Sequence, residues 1–340
     1  YIHHMTNVGI GMWPDSTAHV TLRNSEIAHN GGSGIYWGYP DRNYVHDVLI
    51  ENNYIHHCPD NPAQETHYGI QWKGSCYRAM IRNNVLHDVG GTKRCGIVVY
   101  YGKTKQQGDD PSEINTVRGN VLWNCRNEGI TAMADALVEN NIVMDAKYGL
   151  HVQQYGDNYV ENLTVRNNTV FRCRSSCISI RGWGDAGEDV VLSGNVAYQD
   201  EAGRTAIGGS GTGEAVVEGN YYYGSSPFAG NQGFAEGGGL GDFTDVTAAA
   251  SVPDLDFYPS PDAPFLDVLT RYPNTDLNDT ARPANGLGDA GAYERTSVGN
   301  PGRRIGEGFK IEEFSTAIRG GQRRIAPRAG TFSRRAYPGV

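Results

Sequence analysis

A six-residue phrase returns eight times along this chain, and it limits the possible folds more than any other feature. It begins as Leu-Arg-Asn-Ser-Glu-Ile at residue 22 and returns as Ile-Glu-Asn-Asn-Tyr-Ile at 50 and Ile-Arg-Asn-Asn-Val-Leu at 81. Later copies begin at residues 117, 138, 165, 192 and 217. Aligned on the fourth position, the column reads Ser25, Asn53, Asn84, Asn120, Asn141, Asn168, Asn195 and Asn220, so neighbours lie 21 to 36 residues apart. Self-similarity at this period means one supersecondary unit stacked on itself. Within the phrase, apolar residues flank an Asn/Gly pair, which reads as strand, two-residue corner, strand. Asn and Gly tolerate the left-handed backbone of such a corner. Stacked Asn side chains can then bond to the copies above and below, as amide ladders do in stacked strands.

A second motif alternates with the first. It runs Gly9-Ile10, Gly34-Ile35, Gly69-Ile70, Gly96-Ile97, Gly129-Ile130 and Gly149-Leu150, and continues as Cys177-Ile178 and Ala206-Ile207. Each coil therefore has three short strands: the Gly-Ile strand, the strand before Asn and the strand after it. Three parallel sheets wound into a prism form a parallel β-helix, taken as right-handed from the general hand of such crossovers. Ile10, Ile35, Ile70, Ile97, Ile130, Leu150, Ile178 and Ile207 should form one inward column. Ile27, Ile55, Leu86, Leu122, Val143 and Val170 should form another. The 45 Gly and 15 Pro supply the corners.

The coils are expected over residues 1–223, an irregular C-terminal capping segment over 224–295 and a basic tail over 296–340. Tyr1-Ile-His-His matches the later Tyr54-Ile-His-His, so the chain is expected to open inside a coil, with its start missing. The tail holds nine Arg or Lys and three Glu, whereas the chain as a whole has a net charge of −9. The body is therefore acidic, which argues against nucleic acid as its partner. For the tail, disorder, docking on the acidic body, and docking on a neighbouring subunit or an anionic polymer are all open readings. No run of 18 apolar residues suggests a membrane span. Cys58, Cys76, Cys95, Cys125, Cys173 and Cys177 include no CxxC pair and no metal spacing. Cys173 and Cys177 bracket a short loop, so a bridge there and buried free thiols are both compatible with the spacing.

The Asn column and the Gly-Ile strands resemble the bacterial right-handed parallel β-helix proteins, a superfamily that includes pectate lyases and other polysaccharide-acting enzymes. The ending Asp276-Leu-Asn-Asp, Arg282-Pro and Gly291-Ala-Tyr-Glu is similar to the closing segment of many exported members. The resemblance implies an all-β, three-sheet solenoid acting outside the cell on an acidic polysaccharide, as a lyase or a hydrolase. The alternative is a non-enzymatic surface protein that binds glycan or assembles with itself. The Asp-Pro-His-Asp of mannuronan epimerases is absent, and so is a clear calcium-binding carboxylate cluster.

The resemblance also implies that substrate lies across the outer face of the Gly-Ile sheet. Strand alternation puts the residues two and four after each Gly on that face. These are Gly11 and Trp13, Tyr36, Gln71 and Lys73, Val98 and Tyr100, Thr131 and Met133, His151 and Gln153, and Ser179 and Arg181. Flat rings, amides and cations are what sugar rings, hydroxyls and carboxylates need. Lys73, Tyr100 and His151 are the catalytic candidates. Tyr36, Gln71, Arg94, Lys103, Gln153, Arg181 and Trp183 are the substrate-binding ones. A lyase needs a cation on the uronate carboxylate and a base for the carbon-bound proton. A hydrolase needs two carboxylates about 5–10 Å apart, for which Asp60, Glu65, Asp109 and Asp110 are available. His3, His4, His56 and His57 read as repeat decoration, and no metal ligands are assigned among them. Asp276, Asn278 and Asp279 offer either a calcium site or, the preferred reading, an Asx turn.

Overall fold

The Asn phrases stack vertically. Asn53 donates from its backbone N–H and its Nδ2 to Asn84 Oδ1, both at 3.0 Å. The step repeats from Asn84 to Asn120, Asn120 to Asn141, Asn141 to Asn168, Asn168 to Asn195 and Asn195 to Asn220, with Nδ2 to Oδ1 distances of 2.9–3.0 Å. Each Nδ2 also reaches a carbonyl of the preceding coil, as Asn84 does to Ile50 at 2.9 Å and Asn168 to Val138 at 3.0 Å. All seven Asn of the column are fully buried. A buried amide left without partners would cost about 1–3 kcal/mol per group, so the column tolerates no gap. The left-handed corner falls on the first residue of each pair: φ is 53° at Asn52, 55° at Asn83, 53° at Asn140 and 62° at Gly119.

The computed structural model describes residues 1–12, 17–38, 45–74, 76–100, 113–153, 160–187, 189–226, 233–247 and 255–297. Among these residues the strands form three parallel sheets: a Gly-Ile sheet of eight strands, a pre-Asn sheet of nine and a post-Asn sheet of ten. Every neighbouring pair within them is parallel and one coil apart, for example Ile97↔Ile130 and Leu86↔Leu122. The chain is thus a parallel β-helix, as the repeat implied. The Gly-Ile column is buried from Ile35 to Ile207, and the post-Asn column is buried at Ile27, Ile55, Leu86, Leu122, Val143 and Val170. On the pre-Asn sheet the outer face carries ion pairs between coils, such as Arg82–Glu51 and Arg166–Glu139, both at 2.8 Å.

The six cysteines are buried free thiols, so no Cys173–Cys177 bridge is present. Burial pushes Cys58 up to about 11 and Cys76 and Cys125 up to about 12, which leaves these thiols protonated and unreactive.

The irregular C-terminal segment does not simply sit on the last coil. One more strand, Phe234–Glu236, extends the post-Asn sheet, and a short antiparallel pair, Phe243–Asp245 with Asp256–Pro259, follows. Residues 255–297 then run back along the outside of the post-Asn sheet. Phe257, Phe265, Leu277 and Tyr293 pack there against Trp123, Met144, Phe171 and Tyr198. Asn140 and Asn167 tie the segment down by donating to the carbonyls of Thr275 and Asp289, at 2.7 and 2.9 Å. Arg282 is fully buried and pairs with Glu294 at 2.8 Å. The Asp276 carboxylate accepts backbone N–H bonds from Asn278, Thr280 and Glu294, so it closes a turn, the Asx reading of that stretch. The tail from 298 onward lies outside the described residues.

Candidate functional site

The outer face of the Gly-Ile sheet is built from the register of its strands. Tyr36 pairs with Gln71, Gln71 with Val98, Val98 with Thr131, Thr131 with His151 and His151 with Ser179. This is the row that alternation placed outward. The structure adds a second row, one residue before Gly129, Gly149, Cys177 and Ala206, where Glu128, Tyr148, Ser176 and Thr205 stack. The small inward residue explains it. A Cβ on Gly149 would lie 2.2 Å from Val170 Cγ1 and 2.6 Å from the Cys177 carbonyl, so the backbone itself fills the interior there. The strand bends at that point, and residues on both sides of the bend face out. Simple alternation would have turned Tyr148 inward.

Two groups of side chains form on this face. In the C-terminal group an open cavity of about 470 Å³ is lined by Tyr148, Ser175, Ser176, Ser179, Arg181 and Thr205, among others. The Arg181 guanidinium lies 5.4 Å above the Tyr148 ring, with Nη2 3.5 Å from its hydroxyl. His151 packs edge-on to the same ring at 5.1 Å. Its Nδ1 is 3.6 Å from Glu128 Oε1. His151 is 4% exposed, and neither ring nitrogen has a hydrogen-bond partner. Gln153 and Arg181 are register neighbours.

In the N-terminal group, Lys73 Nζ lies 5.5 Å from the centre of the Tyr36 ring and 5.6 Å from that of Tyr100. The Tyr68 and Tyr100 hydroxyls bond at 2.9 Å, and Arg94 lies 6.0 Å over the Tyr68 ring. Burial, with Cys95 and Tyr100 adding to it, pushes the Tyr68 phenol well above its usual range. It therefore stays protonated and serves as a donor or acceptor rather than as an anion.

With this geometry in hand, the chain can be compared with known families. A family model for the right handed beta helix region matches residues 1–185, more than half of the 340. The chain belongs to the right-handed β-helix family. No curated protein and no solved structure matches its sequence. The matched residues contain the N-terminal group and, of the C-terminal one, Glu128, Tyr148, His151, Ser176, Ser179 and Arg181 but not Thr205. The family shows the winding but not the chemistry, because this scaffold hosts unrelated functions.

In this β-helix several expected site residues are placed otherwise. Trp183 is fully buried in the central core, so its ring is packing and not a surface for sugars. Gln71, Val98 and Thr131 are buried as well, as are His151 and Ser179 in the same row. Asp60 is bonded to His29 at 2.8 Å and Glu65 to Lys93 at 2.8 Å, so neither is poised with a second carboxylate over the sheet. Trp13, Lys103, Asp109 and Asp110 lie outside the described residues. Among the described residues, no helix is long and apolar enough to cross a membrane.

Proposed function

We propose that this β-helix is a carbohydrate-active protein that binds an acidic polysaccharide across the outer face of the Gly-Ile sheet and cleaves it by β-elimination. The observation that carries this reading is the open cavity beside a buried imidazole whose two nitrogens make no hydrogen bond. Arg181 neutralises the uronate carboxylate and makes the neighbouring carbon-bound proton more acidic. His151 takes that proton, and Glu128 stabilises the resulting imidazolium from 3.6 Å. The electron pair forms a carbon–carbon double bond as the glycosidic C–O bond breaks. The leaving oxygen takes its proton from the Tyr148 hydroxyl. The Ser176 and Ser179 hydroxyls are placed to bond sugar hydroxyls. Lys73 lies four coils from Arg181, about 19 Å at a coil spacing of about 4.8 Å, and with Tyr36 and Tyr100 on the coils to either side would hold a more distant unit of the same chain. Gln153 and Arg94 extend the polar rim of the two groups. A hydrolase fits less well, because among the described residues the cavity is lined by no carboxylate. The polymers concerned are extracellular, and we place the protein there with them.

The burial of His151 favours a second reading, a glycan-binding protein without catalysis. One set of measurements separates the two. Wild type is incubated with a panel of uronate polymers, and binding and new ultraviolet absorbance are both followed. His151→Gln should retain binding and lose about 10²–10⁴-fold in rate. Arg181→Ala should weaken binding at least about tenfold. Binding that depends on Arg181, without any new absorbance, would favour the binder. No polymer bound at all would remove the site.

A further inference from the structure

The first coils of the post-Asn sheet carry a feature that glycan binding does not use. His56 and His87 are register neighbours on its outer face. At the corner ending those strands stand His4, His29 and His57, with φ of 56°, 52° and 51°. Coil stacking places these rings over one another. The His4–His29, His29–His57 and His56–His87 centroids are 5.4, 4.7 and 5.2 Å apart, with planes within 22° of parallel. Stacking alone would make a plain aromatic ladder, as it does where His87 lies on Trp123 at 4.7 Å.

Two details go beyond stacking. His56 and His57 turn their Nδ1 atoms toward each other, 2.9 Å apart. In addition, carboxylates hold the opposite nitrogens of two rings: Asp60 Oδ1 is 2.8 Å from His29 Nδ1, and Glu26 Oε1 is 3.3 Å from His56 Nε2. A carboxylate behind a histidine is the arrangement that orients an imidazole as a metal ligand and raises its basicity. It leaves Nε2 of His29 and Nδ1 of His56 for an ion. One ring nitrogen from each of His29, His56 and His57 lies within 4.8 Å of the others. One ligand atom from each of His57, His87 and Asp88 also lies within 4.8 Å of the others. There, however, both His87 nitrogens are engaged, with Asp88 at 2.6 Å and the Tyr54 hydroxyl at 2.7 Å.

The environment suits ligation. The His29 and Asp60 side chains are 36% and 54% exposed, so an ion can enter from solvent and keep water on an open position.

We propose that His29, His56 and His57 bind a divalent transition ion of the zinc, nickel or copper class through three imidazole nitrogens. Such an ion takes nitrogens at about 2.0–2.1 Å, which sets them roughly 3.3 Å apart in a tetrahedral site. Calcium and magnesium prefer oxygen cages and are excluded by the ligand type.

The test uses the full chain, stripped with a chelator and titrated calorimetrically with zinc, nickel or copper chloride alone. One ion per chain at micromolar affinity or tighter is expected, with no heat from calcium. Asn occupies the same left-handed corner at Asn124, with φ 49°, so His29→Asn and His57→Asn keep the backbone while removing the ring. Each should weaken binding at least tenfold. His19→Asn, at a left-handed position on the pre-Asn sheet (φ 58°), is the matched control and should bind as wild type does. Thermal melting without metal checks that the variants are folded. Absence of stoichiometric binding of all three ions by wild type overturns the proposal. Undiminished affinity in folded His57→Asn overturns it too, as does a loss seen on His87→Phe but not on His29→Asn.

Discussion

The two halves of the post-Asn sheet occupy the same register and differ in what lies on them. One outward column runs His56, His87, Trp123, Met144, Phe171 and Tyr198. From Trp123 onward the closing segment covers it, and the residues are large and apolar. Before Trp123 the residues are imidazoles, partnered by Glu26, Asp88 and a tyrosine hydroxyl. The inward column on the same strands barely changes, from Ile55 and Leu86 to Val143 and Val170. A solenoid's interior makes the same demand of every coil. Its exterior answers only to whatever packs against it locally.

Three experiments would break or sharpen this contrast. The largest effect is expected from Phe265→Ala, because Phe265 is buried between the closing segment and Tyr198, with ring centres 6.2 Å apart. A loss of about 3–5 kcal/mol is expected for a phenylalanine truncated in a core. Hydrogen exchange should show it as faster exchange in residues 255–297 and in strands 169–171 and 196–198, with His56 and His87 amides unchanged. Equal loosening of both halves would contradict the division.

A smaller effect is expected from Met144→His, which puts a residue of the open half into the covered one. Met144 is fully buried, and an imidazole there finds no ready partner, for a cost of about 1–3 kcal/mol in chemical denaturation. If stability were unchanged, cover would not be what keeps histidine out.

The smallest effect is a pH dependence of the closing segment's hold. Arg282 is one buried cation among Asp276, Asp289 and Glu294, so their charges are not fully compensated. Desolvation, with Asp289 adding to it, raises Glu294 from 4.5 to about 7. Its folded-state affinity for a proton exceeds that of the unfolded chain. The stabilisation is therefore complete below pH 4.5 and is lost as pH rises through about 7. Limited proteolysis should release residues 255–297 faster at pH 8 than at pH 5. Glu294→Gln should flatten the profile. A faster release at pH 5 would reverse the assigned direction.

Much of this arrangement was legible in the residues. The Asn column and the Gly-Ile motif gave the coil boundaries, and alternation gave the row from Tyr36 to Ser179. Tyr148 and Glu128 were missed because the inward glycine bends the strand, which simple alternation does not describe. Trp183 looked like a loop aromatic and is core, since a short loop can fold its ring back over the end of a coil. The histidine cluster had a signal, the repeated Tyr-Ile-His-His at residues 1 and 54. What the repeat could not convey was His29, a coil between them, or the carboxylates of Glu26 and Asp60 behind the rings.

The amino-acid order alone determined the winding, the buried columns and the amide ladder, because each coil meets an identical neighbour and repeats the same residue for the same steric reason. Only the tertiary structure decided what lies outside the coils: the path of residues 255–297 along one sheet, the cavity beside Arg181 and the meeting of His29, His56 and His57. The closing segment joins residues whose separations in the chain follow no period, and the cavity and the histidine cluster add to the coil register partners such as Arg181 and Asp60 that the repeat does not specify. They are set by loop lengths and by packing across the coils, and neither is written in a local pattern.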